Sequence, residues 1–406
     1  MSEQDVTFSD VEEAAKVLEG VARRTPLDTS RTLAELTGID LHLKLENQQR
    51  TGSFKLRGAY NKIYSLPDSE RKRGVVAASA GNHAQGVAHA ATLLDTKSTI
   101  VMPESASPAK IDATKGYGAR VVLHGSSFDE TVEMARRICS REGSTFVHPF
   151  DDPKVIAGQG TVAMEMLDAE PDLKAMVVPV GGGGLISGMA VAAKAINPAM
   201  RLIGVQSQAY PGMYMAFKTA KLVPYKTQET IADGIAVKHP GKLDYKLIKR
   251  LVDDIVLVKD TEVAEAVFLM LERMKTVAEP AGAVGVAACL SGLVKAKGER
   301  CGVVVSGGNI DMYTLDQIVT KGLERAHRLV RVRITLTDKP GAIGDVLSVV
   351  GQARAKVISV QHERAGRDVP IGSAEVTLNL ETQNREHTKV LLSSLDKARL
   401  RYRRLS

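Results

Sequence analysis

Six short, almost continuous apolar runs most constrain the fold of this chain. They lie at residues 74–78, 99–102, 121–123, 176–180, 202–205 and 303–305, and most are separated by stretches of helical length and period. A strand without polar alternation is buried on both faces, so strand, helix, strand in this order predicts a parallel sheet covered by helices on both sides. Ligands in such sheets bind beyond the carboxyl ends of the strands. The chain's most distinctive loops begin there: Ser79-Ala80-Gly81-Asn82-His83, Gly181-Gly182-Gly183-Gly184-Leu185 and Ser306-Gly307-Gly308-Asn309.

The pattern changes after about Leu323. Residues 324–329 form a charged linker, and residues 330–336 alternate apolar and polar, which is half-buried strand periodicity. An Asp338-Lys339-Pro340-Gly341 turn follows, then a helical pattern over 342–353, strands near 357–360 and 374–380, a helix near 386–395 and a last strand over 398–404. The order βαββαβ is a ferredoxin-like unit. The last strand is expected to keep Ala398, Leu400 and Tyr402 on one face and Arg399, Arg401 and Arg403 on the other, a solvated basic stripe.

Composition narrows the class. A chain of 406 residues is too long for one ordinary domain. The net charge of +7 comes with only 4% aromatics, no Trp and no zinc-finger spacing, so no nucleic-acid partner is expected. Cys139, Cys289 and Cys301 are widely spaced and read as buried free thiols. The acidic N-terminus has no apolar core, and no run reaches the roughly 18 apolar residues of a membrane span. A cytoplasmic enzyme with no membrane partner is the expectation.

Lys55 lies in Thr51-Gly52-Ser53-Phe54-Lys55-Leu56-Arg57-Gly58-Ala59-Tyr60, between small residues, an aromatic ring and a helical run. A desolvated lysine loses its charge readily, and a neutral amine can form an imine with a carbonyl. The four glycines 181–184 let backbone amides approach an anion. Neither Rossmann spacing nor a Walker Lys-Ser/Thr accompanies them, so a single phosphate fits better than a dinucleotide. The 79–83 loop suits a carboxylate or a cofactor oxygen, though it also reads as an ordinary strand-to-helix turn with Asn82 near the helix cap. Residues 206–210 carry no carboxylate and Asp233 reads as structural, so no divalent metal site is expected.

The string at residues 51–62 resembles the cofactor-lysine motif of the fold-type II pyridoxal-phosphate enzymes, and most of all that of the threonine dehydratases. The resemblance implies that Lys55 holds pyridoxal 5'-phosphate and later serves as the base that takes the substrate α-proton. It places Phe54 near the ring and Asn82 on the ring hydroxyl. Gly181, Gly182, Gly183, Gly184 and Leu185 fall at the phosphate, and Ser306 at the pyridine nitrogen. Ser79, Ala80, Gly81, Asn82 and His83 would grip the substrate carboxylate. Related serine racemases carry Ser where Ala80 stands, and a methyl group cannot move a proton, so Ala80 favours elimination. A neutral Ser306 hydroxyl delocalises a carbanion less than a carboxylate would, which suits prompt loss of a β-hydroxyl.

The implied fold is a tryptophan synthase β-like catalytic domain over 1–323 with two α/β subdomains, the smaller about 52–148. A regulatory unit over 330–406 resembles the ACT domain. The implied reaction is conversion of L-threonine to 2-oxobutanoate and ammonia, with lesser activity on L-serine. An isoleucine or valine effector and a homodimer or homotetramer are expected. The alternatives are a serine or 3-hydroxyaspartate dehydratase or racemase on the same scaffold, and an inactive amino-acid-binding regulator.

Overall fold

The computed structural model describes residues 5–223, 225–364 and 369–405. The chain divides into two compact units, Met1–Asp311 and Met312–Ser406. Among the described residues no helix is long and apolar enough to cross a membrane.

The first unit holds two sheets. The larger runs in the order Leu27–Thr29, Asp40–Leu45, Arg300–Val305, Ala175–Pro179, Arg201–Ser207, Asp254–Val258. Its first pair is antiparallel and the rest are parallel. The smaller sheet, in the order Arg120–Leu123, Ser98–Met102, Val75–Ala78, Thr145–Phe146, is parallel throughout. Every residue of Val75–Ala78, Ser98–Met102 and Ala175–Pro179 is buried, as unbroken apolar runs require. All six apolar runs are strands. Three strands of the larger sheet, Leu27–Thr29, Asp40–Leu45 and Asp254–Val258, lie outside those runs, the last although Ile255-Val256-Leu257-Val258 is itself a continuous apolar run. In the first two of these, charged or polar residues interrupt the apolar ones.

Glycines set how closely the central helices of this unit cross. A Cβ on Gly188, in helix Gly184–Ile196, would stand 2.1 Å from the Ile156 carbonyl and 2.7 Å from the Gly160 nitrogen of helix Pro153–Ala169. A Cβ on Gly158, in the latter helix, would stand 2.7 Å from Gly58 Cα in helix Lys55–Tyr64. The helix that starts with Lys55 and the helix that follows the four glycines are thus packed, backbone to backbone, on the same central helix.

The second unit opens with helix Met312–Arg325. A fully antiparallel sheet follows, ordered Lys356–Glu363, Ser373–Glu381, Leu329–Thr337, Arg401–Arg404. Helices Ala342–Gln352 and Arg385–Lys397 cover it over a core of its own. The βαββαβ order is present. The last strand begins at Arg401, not at 398. Ala398 caps the preceding helix, and Arg399 has φ 56°, a left-handed backbone that no strand accommodates. Tyr402 and Leu400 still pack on the core. Cys289 and Cys301 are buried, whereas Cys139 is half-buried.

Candidate active site

A cavity of about 970 Å³ opens at the carboxyl ends of the strands in the first unit. Phe54, Lys55, Ser79, Ala80, Gly81, Asn82, His83, Gly181, Gly182, Gly183, Gly184, Leu185 and Ser306 all line it. Residues from four separate loops therefore meet in one place.

Lys55 is the first residue of its helix. The segment before it is stitched to the loop after strand Arg300–Val305: Ser53 bridges Gly307, and the Phe54 amide donates to the Ser306 carbonyl at 3.2 Å. From behind, Arg57 pairs with Glu46 at 2.8 Å and Glu165 at 2.6 Å, and Lys44 reaches Glu165 at 2.6 Å. This buried, charge-balanced cluster fixes the helix start, because removing any one member would strand a charge in the interior. The Lys55 Nζ donates to the Pro149 carbonyl at 2.8 Å and lies 5.2 Å from the Phe54 ring centre. Burial pulls its pKa down to about 8, opposed by the carboxyls of Asp244 and Glu279. About a tenth of the amine is thus neutral at pH 7, far more than for a solvated lysine.

The glycine loop leaves strand Ala175–Pro179 and enters helix Gly184–Ile196. Gly183 has φ 117°, which a side chain would strain. A Cβ on Gly182 would lie 2.4 Å from the Phe150 ring, so the loop backbone has no room for side chains there. The first-turn N–H groups of the following helix have no carbonyl within the helix to meet, and the helix dipole adds positive potential. This is a cradle for one phosphate-sized anion.

Asn82 is the first residue of helix Asn82–Leu93, next to the cap position at Gly81. Its side chain spans the cavity wall. The Asn82 Nδ2 donates to Glu279 Oε1 at 2.6 Å, while its Oδ1 accepts from Asn309 Nδ2 at 2.6 Å. Asn309 also donates to the Thr51 carbonyl at 2.9 Å. Ser79 Oγ accepts from the Gly81 amide at 3.1 Å, shaping the loop. His83 is buried with its Nε2 at 2.9 Å from the Val147 carbonyl. Burial, with the Lys55 charge adding to it, lowers its pKa to about 3, so it is a neutral structural ring.

Sequence reasoning did not single out Glu279, Asp244 or Asn309 for a role. Glu279 immediately precedes the apolar helix Pro280–Leu290, and nothing in the neighbouring sequence marks it. Asp244 sits in the first turn of helix Lys242–Leu251 with nothing around it in the sequence to mark it. Their proximity to Lys55 is a product of the tertiary fold. Asp233, read as structural, pairs with Lys110 at 2.9 Å.

A desolvated lysine facing a backbone anion cradle, on parallel strands, with a serine hydroxyl-bearing loop and a carboxamide between them, fits a phosphorylated aldehyde cofactor. That architecture defines the fold-type II class of cofactor enzymes. The chain belongs to the family of pyridoxal-phosphate dependent enzymes, whose model matches residues 18–307. It is 49% identical over 384 residues to an L-threonine ammonia-lyase of Thermotoga maritima, covering 95% of this chain and 96% of that one. It is 45% identical to a catabolic L-threonine dehydratase of Escherichia coli over 77% of this chain and 96% of that one. Among solved structures, maize serine racemase superposes with a TM-score of 0.75 at 35% identity, over 80% of this chain and 100% of that one.

Proposed function

We propose that this chain eliminates the β-hydroxyl of L-threonine as water and that the released enamine, through its imine, takes a water back to give 2-oxobutanoate and ammonia, with Lys55 as the residue that carries pyridoxal phosphate. The observation that carries this reading is the convergence of Lys55, Asn82, the 181–184 glycines and Ser306 on one cavity. The names of the full-length relatives point to threonine as substrate. When bound, the cofactor supplies the electron withdrawal that makes the substrate α-proton removable.

The chain's own residues do the rest. Backbone groups at the start of helix Asn82–Leu93 hold the substrate carboxylate. The glycine loop would hold the phosphate, the Asn82 carboxamide the ring oxygen and Ser306 the ring nitrogen. Lys55 would take the α-proton; a pKa of about 8 suits its amine to act as a base close to neutrality. Ala80 lines the cavity on the 79–83 loop and has no proton to give. That supports elimination over the racemisation named for the maize neighbour. Incubation with L-serine is therefore expected to give pyruvate faster than D-serine.

The test is release of ammonia and 2-oxobutanoate from L-threonine by the chain loaded with pyridoxal phosphate. L-Serine should turn over about fourfold less efficiently, because burying one methyl is worth about 0.8 kcal/mol. Lys55→Ala should abolish the visible absorbance and lower turnover by at least about 10²-fold. Wild-type turnover in that variant would sink the assignment.

We further propose an isoleucine or valine effector bound by the second unit, and a homo-oligomer in the cytoplasm. A small cleft in the second unit is lined by Thr337, Asp338, Lys339, Gly341, His362 and Arg364, which offers both charge signs to an amino acid. Unchanged turnover with either amino acid would remove that part alone.

A further inference from the structure

Of the carboxyls that line the cavity, none of them used by the proposed reaction, Glu279 is the buried one. It is 5% exposed, touches Asn82 and lines the same cavity as Lys55. Its backbone amide donates to the Gly307 carbonyl at 3.0 Å, one residue from Ser306. The fit around its carboxyl is close: a Cβ on Gly307 would come 2.2 Å from Glu279 Oε1. Glu279 Oε1 accepts from Asn82 Nδ2 at 2.6 Å, and Asn309, held by the Thr51 carbonyl, donates to Asn82 Oδ1 at 2.6 Å. A carboxylate can only accept and an amide nitrogen can only donate, so these two neighbours fix which way the Asn82 amide faces. One Nδ2 hydrogen is committed to Glu279 and the other is left for a cofactor oxygen.

We propose that Glu279 is a positioning residue that orients the Asn82 carboxamide and, through its charge, holds a proton on the Lys55 nitrogen. The proposal rests on the reading that Lys55 carries the cofactor.

The surrounding charges support it. Glu279 faces Asp233, Lys110 and Lys55. Asp233 and Lys110 are paired at 2.9 Å at the cavity edge, so their effects on Glu279 oppose each other. Lys55 faces Asp244 as well as Glu279, while burial keeps the nearby His83 and His148 from protonating readily. Burial, more than the Asp233 charge, raises the Glu279 pKa to about 7, beside a Lys55 amine at about 8. The carboxyl thus becomes charged just where the amine begins to lose its proton, and an anion facing an ammonium favours the protonated form. The two groups titrate as a coupled pair.

Glu279→Gln keeps the shape and an acceptor for Asn82 but deletes the charge. In the loaded enzyme, the pH midpoint of the visible absorbance change should fall by about one unit in E279Q. The rate at which the cofactor-free protein captures pyridoxal phosphate needs neutral amine, and its midpoint should fall in the same direction. The two proteins should differ above about pH 7 and converge at lower pH, because Glu279 is then neutral in the wild type. Glu279→Asp returns the charge one methylene further back, and its midpoint should lie between the other two. A wild-type midpoint in E279Q overturns the proposal. Should E279Q fail to fold, an unchanged midpoint in E279D does so. A visible band that persists in Lys55→Ala would overturn instead the reading beneath it.

Discussion

Two buried carboxyls act on the Lys55 amine, and they differ in what holds them. Glu279 has a hydrogen-bond donor in Asn82. Asp244 has none for either side-chain oxygen among the described residues; the nearby Ser187 hydroxyl donates to the Asp244 backbone carbonyl at 3.3 Å. The Asp244 side chain presses on the glycine loop, since a Cβ on Gly183 would lie 2.6 Å from its Cβ. Burial, with the Asp151 charge adding to it, pushes the Asp244 pKa well above the usual carboxylate value of 3.8. The sign of the consequence follows from proton counting. Over the range between the unfolded and folded pKa values the native state binds the extra proton, so stability falls as pH rises through that window and stays low above it. Asp244→Asn removes the titration at almost constant shape. Its Tm should match the wild type near pH 4 and exceed it at pH 8. A Tm difference that does not grow with pH would show that this carboxyl is not held neutral by its site.

At the scale of elements, the glycine-bearing helices decide where the chemistry sits. Gly188 lies in mid-helix, where glycine is ordinarily unfavourable by about 1 kcal/mol relative to alanine. Its use is the close approach to the Ile156 carbonyl at 2.1 Å from where a Cβ would stand. Gly188→Ala should therefore lose more through overpacking, about 1–3 kcal/mol, than it gains in helix propensity. Because this helix begins at Gly184, the displacement should also weaken pyridoxal phosphate binding, read as a raised Kd alongside a lowered Tm. A stabilised Gly188→Ala would mean that the crossing is slack. The same helices show what could be read from the chain. Apolar runs such as 176–180 reveal strands because burial on both faces leaves a one-dimensional trace. The Lys55, Asn82, Gly181–Gly184 and Ser306 loops were visible because each follows such a run or carries a distinctive string. Glu279 was not visible, since its meeting with Asn82 spans 197 residues and neither neighbourhood encodes the other. The end of the chain was misread for a local reason. Alternation of apolar and basic residues over 398–404 mimics a strand, whereas the left-handed Arg399 delays it to Arg401.

On the scale of the whole molecule, the residues of the cavity all fall within the first unit, from Phe54 to Asn309. The second unit has its own core, centred on residues such as Val332, Val346, Leu378 and Leu391. The Escherichia coli relative matches 77% of this chain yet 96% of its own length, whereas the Thermotoga relative matches 95% of this chain. A protein can therefore carry the catalytic portion with little beyond it. A chain ending at Asp311 should fold, bind pyridoxal phosphate and deaminate threonine within about threefold of the full chain. Coupling between an effector site and a substrate site is worth about 1–3 kcal/mol, or about 5–150-fold in affinity. If the second unit houses the effector site, the full chain should show at least about a fivefold shift in apparent threonine affinity with isoleucine or valine, and the shortened chain none. An equal shift in both would move the effector to the first unit. Loss of all turnover on shortening, with an intact visible band, would instead give the second unit a part in the catalytic state itself.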